Sequence, residues 1–250
     1  MKKQSVLLIL CSLFLGNVHL FSQNQTANGE INYEVTLQIN QEKIKAFNEN
    51  TKASKKVKGI LNSTLQNARK GKANFKLHFD NSKSIFKEDQ TLTIQDSAID
   101  FVQILVGQGV FYTDKIGDKV LHQKETFGEL FLISIPKVKW NLSQEIKKIG
   151  KYTCYKATSE KEVENKRGKF MKKITAWYTP ELPISFGPKD YSGLPGLILE
   201  LAEGNLLYRA SKLNLSSKKP IRIKAPTKGK KMTLKEYNRT IKKLITDSKR

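Results

Sequence analysis

The side chains able to do chemistry are few. Beyond the first two dozen residues the histidines are His78 and His122, and both fall inside alternating apolar patterns. Leu77 and Phe79 flank His78 and share one face of a strand, so the imidazole points to the other face, toward water. His122 follows Val120 by two positions and has no acidic neighbour in sequence to orient it as a base. Ser192 precedes Gly193 and is a nucleophile by residue type, but no Gly-x-Ser-x-Gly or His-Glu-x-x-His element accompanies it. Asp190 and Glu181 are candidates for a carboxylate pair, although acids set among prolines commonly form turns. Two cysteines and three histidines cannot assemble a zinc cluster of the usual spacing. No catalytic residue, no metal and no cofactor is therefore expected.

The elements around these residues are mostly strands. Ile31, Tyr33, Val35, Leu37 and Ile39 recur at every second position with polar residues between them, the pattern of a half-buried strand. The same period returns at 75–79, 110–112, 120–122, 131–135, around Cys154, and at 174–178, 197–201, 206–215 and 221–223. About ten strands joined by short turns, with no helix between most pairs, predict a curved antiparallel sheet in a mainly β (α+β) protein. Between residues 41 and 72, Val57, Ile60, Leu61, Leu65 and Ala68 fall at steps of three and four, which predicts one or two amphipathic helices. A capping box at Thr233-Leu234-Lys235-Glu236 opens a last helix over 233–247, with Leu234, Tyr237, Ile241, Leu244 and Ile245 on one face. These helices bury their stripes most simply on one face of the sheet. Residues 218–231, with two prolines, one glycine and many lysines, read as an edge or mobile segment. With no fixed-period repeat and no long linker, 23–250 reads as a single domain.

The chain begins with Met1-Lys2-Lys3 and an apolar run from Val6 to Gly16, a basic head and a stretch too short to span a bilayer. Residues 1–22 are expected to be an export signal, with cleavage near Ser22 or Gln23. Cys11 sits inside the apolar run behind Leu10, which does not fit a lipid-anchor site. Cleavage would leave Cys154 as the lone cysteine, placed in an alternating Tyr152-Thr153-Cys154-Tyr155 setting that suits an inert, inward packing residue. With 45 basic and 23 acidic residues the chain carries a formal charge of +22, and removing the leader takes away only two lysines and no acid. Apart from the leader no apolar run is long enough to cross a membrane, and 38 % hydrophobic content is too high for a disordered basic tail.

The region 174–201 reads as strand, punctuated loop, strand, with four prolines and three glycines between 180 and 196. Pro195-Gly196 suits the central positions of a type II turn. Gly193-Leu194-Pro195-Gly196-Leu197-Ile198 spells the signature of the GLPGLI family, exported proteins of Bacteroidetes, and other segments agree with the resemblance. Trp140-Asn141-Leu142 followed by Gly150-Lys151-Tyr152-Thr153-Cys154-Tyr155-Lys156-Ala157 resembles the family's tryptophan and Gly-Tyr-x-Cys-x-Lys-Ala segment, with one extra residue after the glycine. Trp177-Tyr178-Thr179-Pro180, Gly187-Pro188 and Gly29-Glu30-Ile31-Asn32-Tyr33 also resemble family positions. The resemblance runs to about residue 215 and implies export and a β-rich fold, with Cys154, Gly187, Pro188 and the 193–198 segment as structural motif residues; it implies no activity. Asp96-Ser97-Ala98 resembles the three-residue O-glycosylation acceptor of such exported proteins.

A curved sheet covered by helices can enclose an apolar groove, and Trp140, Trp177, Tyr178, Phe186 and Tyr191 are the candidates to line its mouth for a ligand or partner. By fold analogy such a protein is similar to periplasmic lipoprotein carriers. The expected function is a non-catalytic ligand-binding or carrier module in the periplasm or secreted. The alternative is an accessory protein binding a membrane-protein partner at the outer membrane, and a hydrolase is the remotest reading. The candidate partners are a hydrophobic ligand, an envelope protein, or an anionic glycan or lipopolysaccharide drawn by the positive charge. Nucleic acid is not expected, because export separates the protein from it and no binding motif is present.

Overall fold

A computed structural model describes residues 28–50, 52–89, 97–165, 168–215 and 221–247. The proposed leader lies outside these residues, as does Asp96; Ser97 begins a helix but its side chain is outside the description as well. The chain forms strands β1 (Gly29–Leu37), β2 (Lys72–Phe79), β3 (Lys83–Glu88), β4 (Val110–Asp114), β5 (Lys119–Thr126), β6 (Glu129–Ser134), β7 (Asn141–Ile149), β8 (Tyr152–Asn165), β9 (Gly168–Thr179), β10 (Leu197–Glu203), β11 (Leu206–Asn214) and β12 (Lys230–Thr233). The helices among the described residues are α1 (Gln41–Asn50), α2 (Lys55–Lys70), α3 (Ser97–Val106) and α4 (Leu234–Asp247).

All twelve strands share one open sheet in the order β12-β6-β5-β4-β3-β2-β1-β11-β10-β9-β8-β7. The mainly β expectation is met, with two more strands than the alternation suggested. One junction departs from the antiparallel plan: β12 runs parallel to β6, with Met232 opposite Ile133. A chain returning from β11 at the middle of the sheet to its far edge need not arrive in the hairpin sense. The stretch 221–223, expected as a strand, has no strand geometry. Among the described residues of 218–231, the part from Lys230 onward forms the edge strand.

Period two governs the packing. In β1 the residues Ile31, Tyr33 and Val35 are fully buried while Glu30, Asn32 and Glu34 line the opposite face. Their neighbours Phe75, Leu77 and Phe79 of β2 and Phe86 of β3 join the same layer, with Phe75 and Phe86 stacked at 5.2 Å between ring centroids. Helix α3 lays Val102 and Val106 into that layer, and α4 adds Tyr237 against Phe131, rings 5.3 Å apart. The two helices expected between 41 and 72 are present, α2 opening on Ser54, whose hydroxyl accepts the Val57 amide. The capping box of α4 forms as expected: the Glu236 amide donates to Thr233 Oγ1 at 3.2 Å and the Thr233 amide donates back to Glu236 Oε2 at 2.7 Å.

The outward face is polar, with Lys72–Glu34 at 3.1 Å and a shared bridge from Glu200 to Lys147 and Arg209 at 2.6 and 3.0 Å. At the β7 edge the pairing with β8 slips between Leu142 and Ile146, a bulge that breaks the flat ladder.

Candidate functional site

The proline-punctuated loop, residues 180–196, lies over the inner face of the sheet and is tied to it at both ends. The Leu197 amide donates to the Leu182 carbonyl at 2.9 Å and the Gly193 amide to the Ser185 carbonyl at 3.0 Å. From below, the buried Tyr33 hydroxyl donates to the Ile198 carbonyl at 2.6 Å, across 165 positions of sequence. From the side, the Trp140 indole donates to the Ser192 carbonyl at 2.9 Å. Gly196 is not at positive φ, so the type II turn expected at Pro195-Gly196 does not account for it. Its reason is contact: a Cβ there would stand 2.1 Å from the Thr179 carbonyl oxygen. Two residues of the loop are left-handed, Gly193 at φ +91° and Lys189 at φ +54°. Gly187 is needed for close approach, since a Cβ would meet Ile198 Cδ1 at 2.6 Å.

Beneath the loop a set of charged groups converges. β8 and β9 place Lys161 directly opposite Lys172. Like charges in that position repel, and each lysine has its own acid. Lys161 Nζ donates to Asp190 Oδ2 at 3.0 Å, and Lys172 Nζ donates to Glu203 Oε1 at 3.4 Å. Lys189 adds a second ammonium to Glu203, donating to Oε2 at 2.8 Å, and the buried Tyr208 hydroxyl donates to the same oxygen at 3.4 Å. Both acids are nearly sealed from water, Asp190 at 2 % and Glu203 at 4 % exposure. Burial by itself raises the Glu203 pKa; the charges of Lys189 and Lys172, with Lys161 behind them, outweigh it and hold the carboxyl down to about 2. Burial, and then the Glu203 charge, push the Tyr191 phenol well above its ordinary value. His122 sits on the same inner face, its ring stacked on Phe111 at 3.8 Å with Nε2 2.8 Å from the Gln108 carbonyl. Burial, helped by Lys124 and Lys189, lowers its pKa to about 4 against the pull of the Gln108 carbonyl.

Two oxygens of this set find no hydrogen-bond partner. Asp190 Oδ1 is buried and unbonded, and so is the hydroxyl of the adjacent Tyr191. Asp190 forms part of the wall of a half-open groove of about 520 Å³ that also includes Ser159, Ile174, Val138 and Leu234, with Lys137, Lys139, Glu160 and Glu162 around it. A second hollow, of about 460 Å³, is a polar cleft between α1 and α2 lined by Gln41, Asn48 and Gln66.

The structure spreads the aromatic candidates rather than gathering them at a mouth. Tyr178, Phe186 and Tyr191 are interior, at 6, 1 and 0 % exposure, because the loop folds inward onto the sheet. Trp140 is half-buried and braces the loop, its ring 6.1 Å from that of Tyr191. Trp177 is half-buried on the outward face under the Lys147 ammonium, 4.7 Å from its ring. The motif residues Gly187, Pro188, Leu194, Gly196, Leu197 and Ile198 are buried, while Gly193 and Pro195 are exposed. Cys154 is fully buried, and burial raises its thiol to about 11. Asp190 and Glu181 are not joined to each other: Glu181 Oε1 accepts the Thr153 amide at 2.8 Å, and Asp190 pairs with Lys161. His78 lies on the outer face, as its spacing predicted, with Nδ1 3.4 Å from Glu30 Oε2. Among the described residues no three His, Cys, Asp or Glu side chains gather into a metal-binding group.

Sequence reasoning singled out Asp190 but missed its partners. Glu203 carried a signal, since Leu199 and Leu201 point inward and period two carries the next inward position to an acid. Lys161, Lys172 and Lys189 are indistinguishable in sequence from the solvated lysines around them.

The arrangement defines a class: an open twelve-stranded sheet whose inner face is filled by a loop, with a buried ion-pair set under that loop. A family profile described as "Protein of unknown function (Porph_ging)" matches residues 140–200, less than half of the chain, running from Trp140 through the loop to Glu200. No curated protein sequence matches. Among solved structures, PNGF-II is similar in its C2 and P21 crystal forms: 16 % identity in each, TM-scores of 0.48 and 0.47, and 86 % of this chain covered. This chain spans about a third of PNGF-II, 32 and 33 % in the two forms. No helix among the described residues is long and apolar enough to cross a membrane.

Proposed function

We propose that this chain is an exported GLPGLI-type protein of the cell envelope that acts without catalysis, as a module that binds at its surface and carries no cargo in its interior. The observation behind this reading is that the inner face of the sheet is filled. Phe86, Phe186, Tyr191 and Leu194 pack there at 1 % exposure or less, in the space a carrier would leave for lipid. The ion-pair set favours a structural role over acid–base chemistry. A carboxylate held near pKa 2 between two ammoniums is a poor proton acceptor at neutral pH, and the hydroxyl bonded to it, that of Tyr208, is buried with its pKa pushed well above the ordinary value. The binding seat on this reading is the groove beside Asp190, whose unbonded Oδ1 lacks a donor and whose aliphatic wall suits a small apolar group or a partner's side chain.

The test has two arms. Protein purified from its own envelope is expected to give a native mass spectrum of the bare chain. A photo-crosslinking residue in place of Val138, in the groove, is expected to trap a ligand or envelope partner that the same residue at exposed Lys119 does not. A stoichiometric lipid retained through purification overturns the reading, as does equal trapping at both positions.

A further inference from the structure

The last described segment joins a basic edge strand to an amphipathic helix. Residues 221–247 hold nine basic side chains and two acidic ones. None of Lys230, Lys231, Lys235 and Lys243 makes an ion pair with a described residue. One of the two acids, Glu236, is engaged in the cap of α4 through Thr233. On α4 the residues Lys235, Arg239 and Lys243 follow one another at steps of four, a basic stripe along one side of the helix.

The apolar face of α4 is only partly used. Tyr237, 9 % exposed, docks it onto Phe131, and Ile241 packs against the same core. That face continues through Leu244 and Ile245, yet these are 43 and 39 % exposed. The helix begins anchored on the sheet edge and ends with two large aliphatic side chains partly exposed, in a segment of nine basic and two acidic residues. Cationic side chains beside exposed aliphatic ones on an amphipathic helix match a surface with anionic phosphates over hydrocarbon. Lysine stems can lie along the apolar boundary while their ammoniums reach the phosphates.

We propose that α4 and the basic residues leading into it seat this protein on an anionic lipid surface, with Leu244 and Ile245 entering the headgroup boundary. The positive charge brings the surface close, and the aliphatic pair distinguishes a bilayer from a dissolved polyanion. This site is separate from the groove at Asp190, so either can fail without the other.

The experiment is vesicle co-sedimentation of the protein in the form its own cell produces. Vesicles of phosphatidylcholine with phosphatidylglycerol are compared with phosphatidylcholine alone, at 50 and 500 mM salt, with soluble polyphosphate as the lipid-free source of phosphate. Binding is expected to anionic vesicles alone and to fall at least tenfold at high salt, where screening shortens the reach of the charges. L244D/I245D is expected to reduce vesicle binding at least tenfold and leave polyphosphate binding unchanged, and K230E/K231E/K235E to reduce both. V57D/I60D alters exposed aliphatics on α2, at 54 and 58 % exposure, and is expected to bind vesicles as the unaltered protein does. Circular dichroism confirms that each variant is folded. Equal binding to neutral vesicles overturns the proposal. So does undiminished vesicle binding by folded L244D/I245D, which would mark a general polyanion surface instead.

Discussion

Replacing Glu203 by glutamine tests whether the buried charges fix the loop. The carboxyl is held at about pKa 2 against an ordinary value of 4.5, so its folded form favours the charged state. A depressed carboxylate pKa contributes stability that is present above the unfolded value and lost as pH falls through the folded one. The shift of about 2.5 units, at about 1.4 kcal/mol each, corresponds to about 3 kcal/mol at pH 7 and about 1 kcal/mol at pH 3. The amide also leaves Lys189, whose side chain is 10 % exposed, without its carboxylate. An uncompensated buried ammonium brings the expected loss at neutral pH to about 3–5 kcal/mol. Urea denaturation of both proteins at pH 7 and pH 3 measures it: Glu203→Gln should be destabilised by that amount at pH 7, and by about 2 kcal/mol less at pH 3. Adding Lys189→Met to Glu203→Gln should restore much of the loss, because two apolar-compatible groups then replace a broken pair. A loss below about 1 kcal/mol at pH 7, or one of equal size at both pH values, would falsify the assignment of the network as the clamp of the loop.

Three further outcomes are expected. Gly196→Ala, which drives a methyl carbon to 2.1 Å from the Thr179 carbonyl, should lower stability by about 3 kcal/mol or more, whereas Pro195→Ala at the exposed neighbour should cost under about 1 kcal/mol; thermal unfolding of the two variants compares them. His122, buried and lowered to about 4 from 6.5, contributes stability above pH 6.5 that is lost as pH falls toward 4, at most about 3 kcal/mol; His122→Phe should flatten that limb of the stability profile and leave the lower Glu203 limb in place. Cys154, with its thiol raised to about 11 and no exposed surface, should resist a thiol reagent at pH 8 in the folded protein and react at once in urea.

The parts of the fold visible in sequence are those where one face is wet and the other dry. β1 alternates without a break, and α4 announces itself by its capping box, so both read correctly from residue types. α3 did not: Ser-Ala-Ile-Asp-Phe-Val-Gln-Ile-Leu-Val is nearly continuous in apolar residues, and such a run does not reveal whether it coils or extends. β7 was missed for the opposite reason, being an edge strand of Ser-Gln-Glu and lysines with little to bury. The loop is individual in sequence, but its aromatics read as the lining of a groove mouth because a curved sheet covered by helices can enclose an apolar groove. Here the loop itself fills the sheet, and only the three-dimensional register of β8 with β9 shows which of many lysines turn inward to meet Asp190 and Glu203.

The slipped pairing between Leu142 and Ile146 bears on what another chain would meet at that edge. Both side chains are 60 % exposed on the outermost strand, which on a flat edge would invite a second chain to add itself. With the rim kinked at that point and lysines at 147 and 148 beside it, an incoming strand meets interrupted hydrogen-bonding positions and positive charge. The interrupted edge therefore makes a poor template for an added strand, and straightening that kink would lengthen the ladder on offer to one.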